Sequence, residues 1–444
     1  MSHYLVVGLG KTGHSIARYL QRRHLDFCVF DTRKQTDAAT PFHLEFPDIE
    51  LYLGEFPEEK LADISTIIVS PGVPLETPCL VKAKELGIPV HGDIECLARD
   101  TDANVIAITG TNGKSTVTTL VGLMAQAFGL KTAVAGNIGT PVLDLLGDDT
   151  DYDLWVLELS SFQLDLTESL KPTAATMLNL TPDHLDRHHT LEAYTAAKQR
   201  VYHHAQSMVY NREDSVTKPW NATEAHNVSS FGLNTALEGH WGLVADNTDT
   251  FLAYGKTPII SVNELRIKGR HNWANALAAC AVAHGVGISF AAMQTVLKTF
   301  TGLPHRSQWV RTLHGVDWIN DSKGTNIGAT QSAIAGVGGA ISGKIVLIAG
   351  GQGKGADFRA LRDPVSAYVR TLILFGEDAD QLDSALSDVV DVRRVTSLED
   401  AVSTAHHTAQ SGDVVLLSPA CASLDMFRDF NHRGEMFADL VGKL

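Results

Sequence analysis

Two junctions constrain this chain more than any other feature. In each, a short apolar run ends in a glycine-rich turn that opens a helix. Tyr4 to Val7 runs into Gly8-Leu9-Gly10-Lys11-Thr12-Gly13, and Asn104 to Ile108 runs into Thr109-Gly110-Thr111-Asn112-Gly113-Lys114-Ser115-Thr116, followed by an apolar-periodic stretch from Val117 to Phe128. A strand that turns through glycines into a helix is the building unit of a parallel α/β sheet, and the N–H groups at such a helix start favour phosphate.

Further apolar runs extend this pattern into three series. Phe27 to Phe30, Leu51 to Leu53 and Thr66 to Val69 continue the first. Leu154 to Leu157 and Ala174 to Leu178 continue the second, which ends at the breaker Thr301-Gly302-Leu303-Pro304. Asp317 to Ile319, Lys344 to Ile348, Thr371 to Phe375 and Val414 to Leu417 make a third, and no repeat of fixed period links them. The chain has 444 residues, more than one hydrophobic core accommodates. We therefore expect an α/β protein of three tandem domains. Residues 1–92 are expected to be Rossmann-like, 93–302 a P-loop-type domain on a mixed or parallel central sheet, and 303–444 Rossmann-like again.

Composition removes several function classes. Lys and Arg number 36 against 51 Asp and Glu, a net charge of -15, whereas a nucleic-acid footprint needs the opposite sign. Anionic small molecules remain open to it through local positive pockets at loops and helix starts. Cys28, Cys79, Cys96, Cys280 and Cys421 are scattered, odd in number and form no C-x-x-C pair, which points to a reducing compartment. No basic leader precedes the first strand and no apolar run approaches the ~18 residues of a membrane span. The expectation is a cytoplasmic protein with no membrane insertion and no nucleic-acid partner.

The first loop fits G-x-G-x-x-G, and Asp31 ends the next strand 18 positions beyond Gly13. This is the fingerprint of a diphosphate over a helix start with an acidic residue on a ribose hydroxyl, which NAD, FAD and a UDP-sugar all satisfy. A tight turn without a ligand is the plain alternative, and an NAD-dependent oxidoreductase the rival function. Against the latter, fewer than about 95 residues precede the second series, where a dinucleotide needs two mononucleotide halves. In the second loop Lys114 would reach β and γ phosphates and Ser115 a Mg²⁺ ion. The strict G-x-x-x-x-G-K-[ST] pattern is not met, since its first glycine falls on Ile108. A generic P-loop NTPase or kinase therefore stays open on these residues.

The full string Thr-Gly-Thr-Asn-Gly-Lys-Ser-Thr resembles the ATP loop of the Mur ligases and of the related folylpolyglutamate synthetases, which join an amino acid to a carboxylate. The resemblance recurs at Gly136-Asn137-Ile138-Gly139, Leu157-Glu158-Leu159-Ser160-Ser161-Phe162-Gln163, Asp183-His184-Leu185-Asp186-Arg187-His188 and Gly302-Leu303-Pro304-His305-Arg306. Asn320-Asp321-Ser322-Lys323-Gly324-Thr325-Asn326 and Ser418-Pro419-Ala420-Cys421-Ala422-Ser423-Leu424-Asp425 are similar to the D-glutamate-adding branch of the Mur ligases. An Asp-Asn-Pro-Arg string, found in the diaminopimelate- and lysine-adding branches, is absent.

The resemblance implies an ATP-dependent ligase of peptidoglycan precursor synthesis that activates the carboxylate of UDP-N-acetylmuramoyl-L-alanine as an acyl phosphate and joins it to D-glutamate. It implies UDP in the first domain, ATP with two Mg²⁺ ions in the second, and a third domain that closes over the nucleotide, in a monomer. Carried over residue by residue, Gly110, Thr111, Asn112, Gly113, Lys114, Ser115 and Thr116 hold ATP, joined by Asn275 at the adenine, Arg306 at phosphate and Asp321 at ribose; Asn272 shares a helical face with Asn275. Gly10, Lys11, Thr12, Asp31, Thr32, Arg33 and Gly72 bind the UDP-substrate, with Asn137 and Ser160. Thr325, Lys354, Ser423 and Phe430 bind D-glutamate, although Gln352 and Gly355 depart from the acidic and serine residues of other members.

Ser115, Glu158, His184 and Lys198 would hold metal, and Lys114, His184, Lys198 and Asn137 would carry catalysis. Glu158 also earns its place by position, at the strand end where open α/β sheets put ligands. His184 and His188 are four apart and imitate a zinc pair, but no third ligand is spaced for it. His188, His203-His204 and His406-His407 are expected to be solvated. A lone lysine on a helix is ordinarily a surface charge; only the resemblance selects Lys198, as a lysine carbamylated by CO₂.

Overall fold

The computed structural model describes residues 3–148, 150–223, 227–246, 249–267, 269–353 and 355–444, and for Leu185 and Asp186 the backbone alone. The chain packs as two compact units, Met1–Gly232 with Ala236–Trp241 and Ala278–Met293, and Leu233–Thr235 with Gly242–Leu277 and Gln294–Leu444.

The first unit holds two parallel sheets. One has five strands: β1 (His3–Val7), β2 (Asp26–Asp31), β3 (Leu51–Leu53), β4 (Ile64–Val69) and β5 (Val90–His91), in the order β3-β2-β1-β4-β5. The other has six: β6 (Asn104–Thr109), β7 (Thr132–Gly136), β8 (Leu154–Glu158), β9 (Ala174–Met177), β10 (Ser207–Asn211) and β11 (Asn227–Phe231), in the order β11-β10-β9-β6-β8-β7. Both glycine-rich loops leave a strand, β1 or β6, whose neighbours lie on opposite sides, β2 and β4 for the first, β8 and β9 for the second. Connections diverge at such a switch point and leave a crevice beyond the strand ends, which is where ligands bind in open α/β sheets.

Alternation along β1 sends Leu5 and Val7 to one apolar cluster and Val6 to the other. The second cluster is shared by both sheets: Val6, Ile16 and Leu20 meet Leu97, Val105, Leu143 and Trp155. Polar ties reinforce it. Arg18 pairs with Asp144 at 2.7 Å, and Glu95 accepts from the backbone N–H groups of Glu168 and Ser169.

The second unit contains a three-stranded sheet of β12 (Trp241–Ala245), β13 (Thr250–Tyr254) and β14 (Thr257–Ser261). It also contains a six-stranded sheet of β15 (Gln308–Leu313), β16 (Val316–Asn320), β17 (Ile345–Gly350), β18 (Val369–Phe375), β19 (Asp391–Arg394) and β20 (Val414–Leu417), ordered β15-β16-β20-β17-β18-β19. Only β15 runs antiparallel, so this sheet is mixed, a parallel core with one reversed edge. Ile345, Leu347 and Ala349 pack on one face and Val346 and Ile348 on the other, as expected of a sheet covered on both sides. Among the described residues no helix is long and apolar enough to cross a membrane.

Candidate active site

The central loop starts from Thr109, whose hydroxyl donates to Leu159 O at 2.7 Å and so ties β6 to the strand beside it. Gly113 is the N-cap of the helix Lys114–Phe128, and no side chain caps that helix start. A helix start of this kind presents N–H groups and the positive end of its dipole to an anion. The sequence reading missed the residue that shapes the loop. Asn179 accepts from Thr111 N through its carbonyl and from Asn112 N through Oδ1, and returns Nδ2 to Asn112 O. Lys114 Nζ donates to Gly110 O and Thr111 O, both at 3.0 Å, and Ser115 is buried behind it.

Lys198, on the helix Leu191–Gln199, is not a surface charge. It is 2 % exposed, and its Nζ donates to Gly110 O at 2.9 Å and lies 3.3 Å from Thr109 Oγ1, beneath the loop. Burial and the nearby Lys114 ammonium push its pKa well below the ordinary lysine value. A buried lysine whose charged form is disfavoured gives up its proton more readily than a surface lysine, and the amine so exposed is a nucleophile.

Glu158 ends β8 at 2 % exposure. Its Oε1 accepts from Asn137 Nδ2 at 2.8 Å, while Oε2 is enclosed with no partner. Asn137 is fixed from its other side as well, its N–H donating to Glu158 O at 2.8 Å. This close approach requires Gly136, where φ is 101° and a Cβ would stand 2.2 Å from Glu158 O. A buried carboxylate oxygen without a donor is costly unless a cation or a donor arrives from a ligand.

His184 is exposed, has φ of 52°, and sets its ring edge-on to Phe162. His188 departs from the solvated surface residue expected: its Nε2 shares a 2.8 Å hydrogen bond with Ser161 Oγ, and its ring stacks on Phe162 at 5.2 Å. Arg187 covers Phe162 at 4.5 Å and donates to Gly72 O and Val73 O. One short helical turn thus links the central loop's surroundings to the Gly72 turn of the first sheet. The helix period, which places side chains i and i+4 on one face, could have flagged His188 but not its partners.

At the first loop, Gly10, Lys11, Thr32, Arg33 and Gly72 are exposed and Thr12 partly so. Asp31 is buried and already engaged: Leu9 N and Arg33 N donate to it, and the Arg33 guanidinium meets both its oxygens at 2.8 Å. Burial alone would raise its pKa, but these donors hold it down at about 2. Its visible work is to set the shape of the loop.

The second unit gathers the remaining residues. Asn275 Nδ2 donates to Asn272 Oδ1 at 3.2 Å. Asp321 accepts from Ser307 N at 2.9 Å and Ser418 Oγ at 2.7 Å; burial lifts its carboxyl to about 6 against the pull of those donors and Arg306. Ser423 is buried, Thr325 and Phe430 are half-buried, and Lys323 Nζ sits 3.8 Å from the Phe430 ring. The segments carrying them are knitted by Arg433, which the sequence reading did not single out. Fully buried, it donates to Ser322 Oγ, Ser322 O and Cys421 O, while Ser322 Oγ donates to Phe430 O. Lys354 lies outside the described residues.

The chain matches the Mur ligase MurD-like N-terminal domain over residues 2–92, the Mur ligase middle domain over 108–283 and the Mur ligase glutamate ligase domain over 305–421. It is similar to UDP-N-acetylmuramoylalanine–D-glutamate ligase of Legionella pneumophila, at 61% identity over 99% of both chains. The enzyme of that name from Pseudomonas aeruginosa is 48% identical over 99% of this chain and 98% of its own. Among solved structures, a pseudomurein peptide ligase type C from Methanothermus fervidus overlays with a TM-score of 0.60 at 19% identity over both whole chains. MurF ligase from Thermotoga maritima in complex with ADP gives 0.60 at 17%, over 100% of this chain and 95% of that one. These structures share the fold. With three family models matched in order along the chain and a relative 61% identical over 99% of it, the chain belongs to the Mur ligase family.

Proposed function

We infer that this protein is an ATP-dependent ligase that joins D-glutamate to UDP-N-acetylmuramoyl-L-alanine in peptidoglycan precursor synthesis. One observation carries the chemical side of the reading: a buried lysine, Lys198, with its pKa pushed well down by burial, and a buried unpartnered carboxylate oxygen, on Glu158, flank a glycine-lysine-serine loop. The whole-length identity to named D-glutamate ligases supports the choice of acceptor. Members of the family use ATP, and the central loop, residues 110–116, is its natural seat.

The donor set fits Mg²⁺, since Glu158 Oε2 lacks a partner and Ser115 offers a hydroxyl at the loop's helix start. We assign metal to Ser115, Glu158, His184 and a carbamylated Lys198, with two ions. The deprotonated amine of Lys198 attacks the carbon of CO₂: a C–N bond forms, one C=O π pair moves onto oxygen, one N–H proton passes to solvent, and the amine becomes an anionic carbamate whose oxygen can ligate metal. Bound Mg²⁺ would neutralise charge on the phosphates.

In the reaction the lactyl-alanine carboxylate attacks the γ phosphorus and ADP leaves, producing an acyl phosphate. The amine of D-glutamate then attacks the acyl carbon, loses a proton and expels phosphate. Lys114 stabilises negative charge on the transferred group, and Asn137 and Ser160 orient the substrate. No protein nucleophile is used. Residues 1–92 hold the UDP portion through Gly10, Lys11, Thr12, Thr32, Arg33 and Gly72, on a loop shaped by Asp31. Residues 93–302 hold ATP and metal, and 303–444 supply Arg306 and Asp321 to ATP and Thr325, Lys354, Ser423 and Phe430 to D-glutamate. Asn275 contacts adenine. We place the reaction in the cytoplasm and the protein as a monomer.

The deciding experiment is phosphate release with ATP, Mg²⁺ and UDP-N-acetylmuramoyl-L-alanine, comparing D-glutamate with L-glutamate, L-lysine and no amino acid. Release with D-glutamate alone is expected. Release with another acceptor would keep the ligase chemistry and overturn the specificity.

A further inference from the structure

Past the ends of β6 and β9 the chain goes on pairing after the strands have stopped. Leu178 N donates to Thr109 O and Thr111 N to Asn179 O, each at 3.0 Å. The Thr111 hydroxyl then bridges the backbone of Thr181, accepting from its N–H at 3.1 Å and donating to its carbonyl at 3.2 Å. At Asn112 the Asn179 side chain takes over from the backbone: Asn112 N donates to Oδ1 at 2.8 Å, and Nδ2 donates to Asn112 O at 3.0 Å. A main-chain residue offers one donor and one acceptor, and a primary amide answers both, one from each end; a carboxylate answers the donor alone.

This grip has two consequences for the loop. The N–H groups of Thr111 and Asn112 are committed to Asn179, so phosphate must be met by donors further along. The Asn112 carbonyl, in turn, belongs to the same peptide plane as the Gly113 N–H. That peptide is trans, and in a trans plane C=O and N–H point in opposite directions. Holding Asn112 O toward Asn179 therefore aims the Gly113 N–H away from Asn179. Gly113 tolerates the resulting φ of 82°, which a side chain would strain. Among the described residues its N–H meets no acceptor, and it stands at the N-cap of the helix Lys114–Phe128, where the helix dipole favours an anion.

We propose that Asn179 is a positioning residue for ATP which, by gripping both polar groups of Asn112, turns the Gly113 N–H into a main-chain donor to the phosphates beyond the α position. This rests on the reading of residues 110–116 as the ATP loop. Without the Asn179 amide the Asn112–Gly113 peptide could rotate, and a carbonyl would face the phosphates in place of an N–H.

The test is equilibrium binding of ADP and of AMP to the full chain with Mg²⁺, joined to initial-rate kinetics. Asn179→Ala should weaken ADP binding and raise the KM for ATP about 10-fold each, the worth of one oriented hydrogen bond. AMP binding and the KM values for UDP-N-acetylmuramoyl-L-alanine and D-glutamate should change by less than about 2-fold. Asn179→Asp keeps the shape and the acceptor for Asn112 N but sets an oxygen against Asn112 O, so it should be at least as weak as the Ala variant. The Ala variant carries no charge and separates the lost donor from repulsion of phosphate by a carboxylate. Unchanged ADP binding in Asn179→Ala, an equal loss for AMP as a merely structural defect would give, or a parent-like Asp variant would each overturn the proposal. Should Asn179→Ala fail to fold, the isosteric Asp variant carries the same comparison of ADP with AMP. A parent protein that binds no ADP would sink the ATP reading of the loop, whereas an ADP-binding parent with unmoved variants sinks the role of Asn179 alone.

Discussion

The loops at Gly8–Gly13 and Thr109–Thr116 share a strand, a glycine-rich turn and an uncapped helix start, yet their surroundings differ in kind. Beneath the first, Asp31 is saturated by Leu9, Arg33 and the Arg33 guanidinium. Beneath the second, Lys198 is buried with its pKa pushed well below the ordinary lysine value, and Glu158 keeps an oxygen without a donor. A site that only binds can satisfy its polar groups in advance, because nothing about them has to change when ligand arrives. A site that handles charge holds groups in states the protein alone does not complete. Backbone geometry suits both loops to phosphate, and the layer below sets them apart.

This division breaks first at Lys198. Lys198→Ala should lower turnover by about 10²–10³-fold, the usual loss for one preorganised charged group, with part regained on adding short carboxylic acids; a fully active variant would remove the carbamate role. Glu158→Gln should lose about 100-fold and raise the Mg²⁺ needed for half-maximal rate, while the UDP-substrate KM stays put. Equal loss at every Mg²⁺ concentration would speak against metal there.

Effects at the first loop should be smaller and of another type. In Gly13→Ala the new Cβ would lie 1.9 Å from Gly8 O, so the turn must shift. About 1–3 kcal/mol of stability should be lost in denaturant titration, with weaker UDP-substrate binding and unchanged ATP binding. Asp31→Asn should cost about 1 kcal/mol at neutral pH, modest because Arg33 is open to solvent on its far side. The carboxyl's pKa is depressed from 3.8 to about 2, so its contribution is fully present above pH 3.8 and is lost as pH falls through about 2. The gap between parent and variant should close over that window. A variant that instead abolished turnover would place chemistry in the first loop and undo the contrast.

Much of the fold was legible because parallel strands buried on both faces must be continuous apolar runs. Leu51–Leu53 and Val414–Leu417 coincide with β3 and β20, and the other runs read from the sequence differ from observed strands by one or two residues at an end. The strands that escaped are β5, β7, β10, β11, β15, β19 and the sheet β12–β14. β15 and β19 are edges, where one side of the backbone meets solvent and charged residues such as Arg311, Arg393 and Arg394 interrupt the pattern.

At the site, Lys114, Ser115 and Glu158 could be placed from local strings because each sits where a strand ends. Asn179, His188 and Arg433 could not, since their partners are Asn112, Ser161 and Ser322, distant in sequence. Lys198 shows the limit best. Local sequence puts a lysine on a helix, and helical periodicity says which neighbours share its face. Whether that face meets water or the underside of a phosphate loop depends on a contact 88 residues away, at Gly110. The sequence by itself determined the alternating α/β scaffold and its two glycine-rich loops, because secondary structure and glycine turns depend on near neighbours. Only the tertiary structure decided the burial of Lys198 and the direction of its pKa, the open valence of Glu158 and the commitment of Asp31, because burial and long-range hydrogen bonding set the energy of a charge.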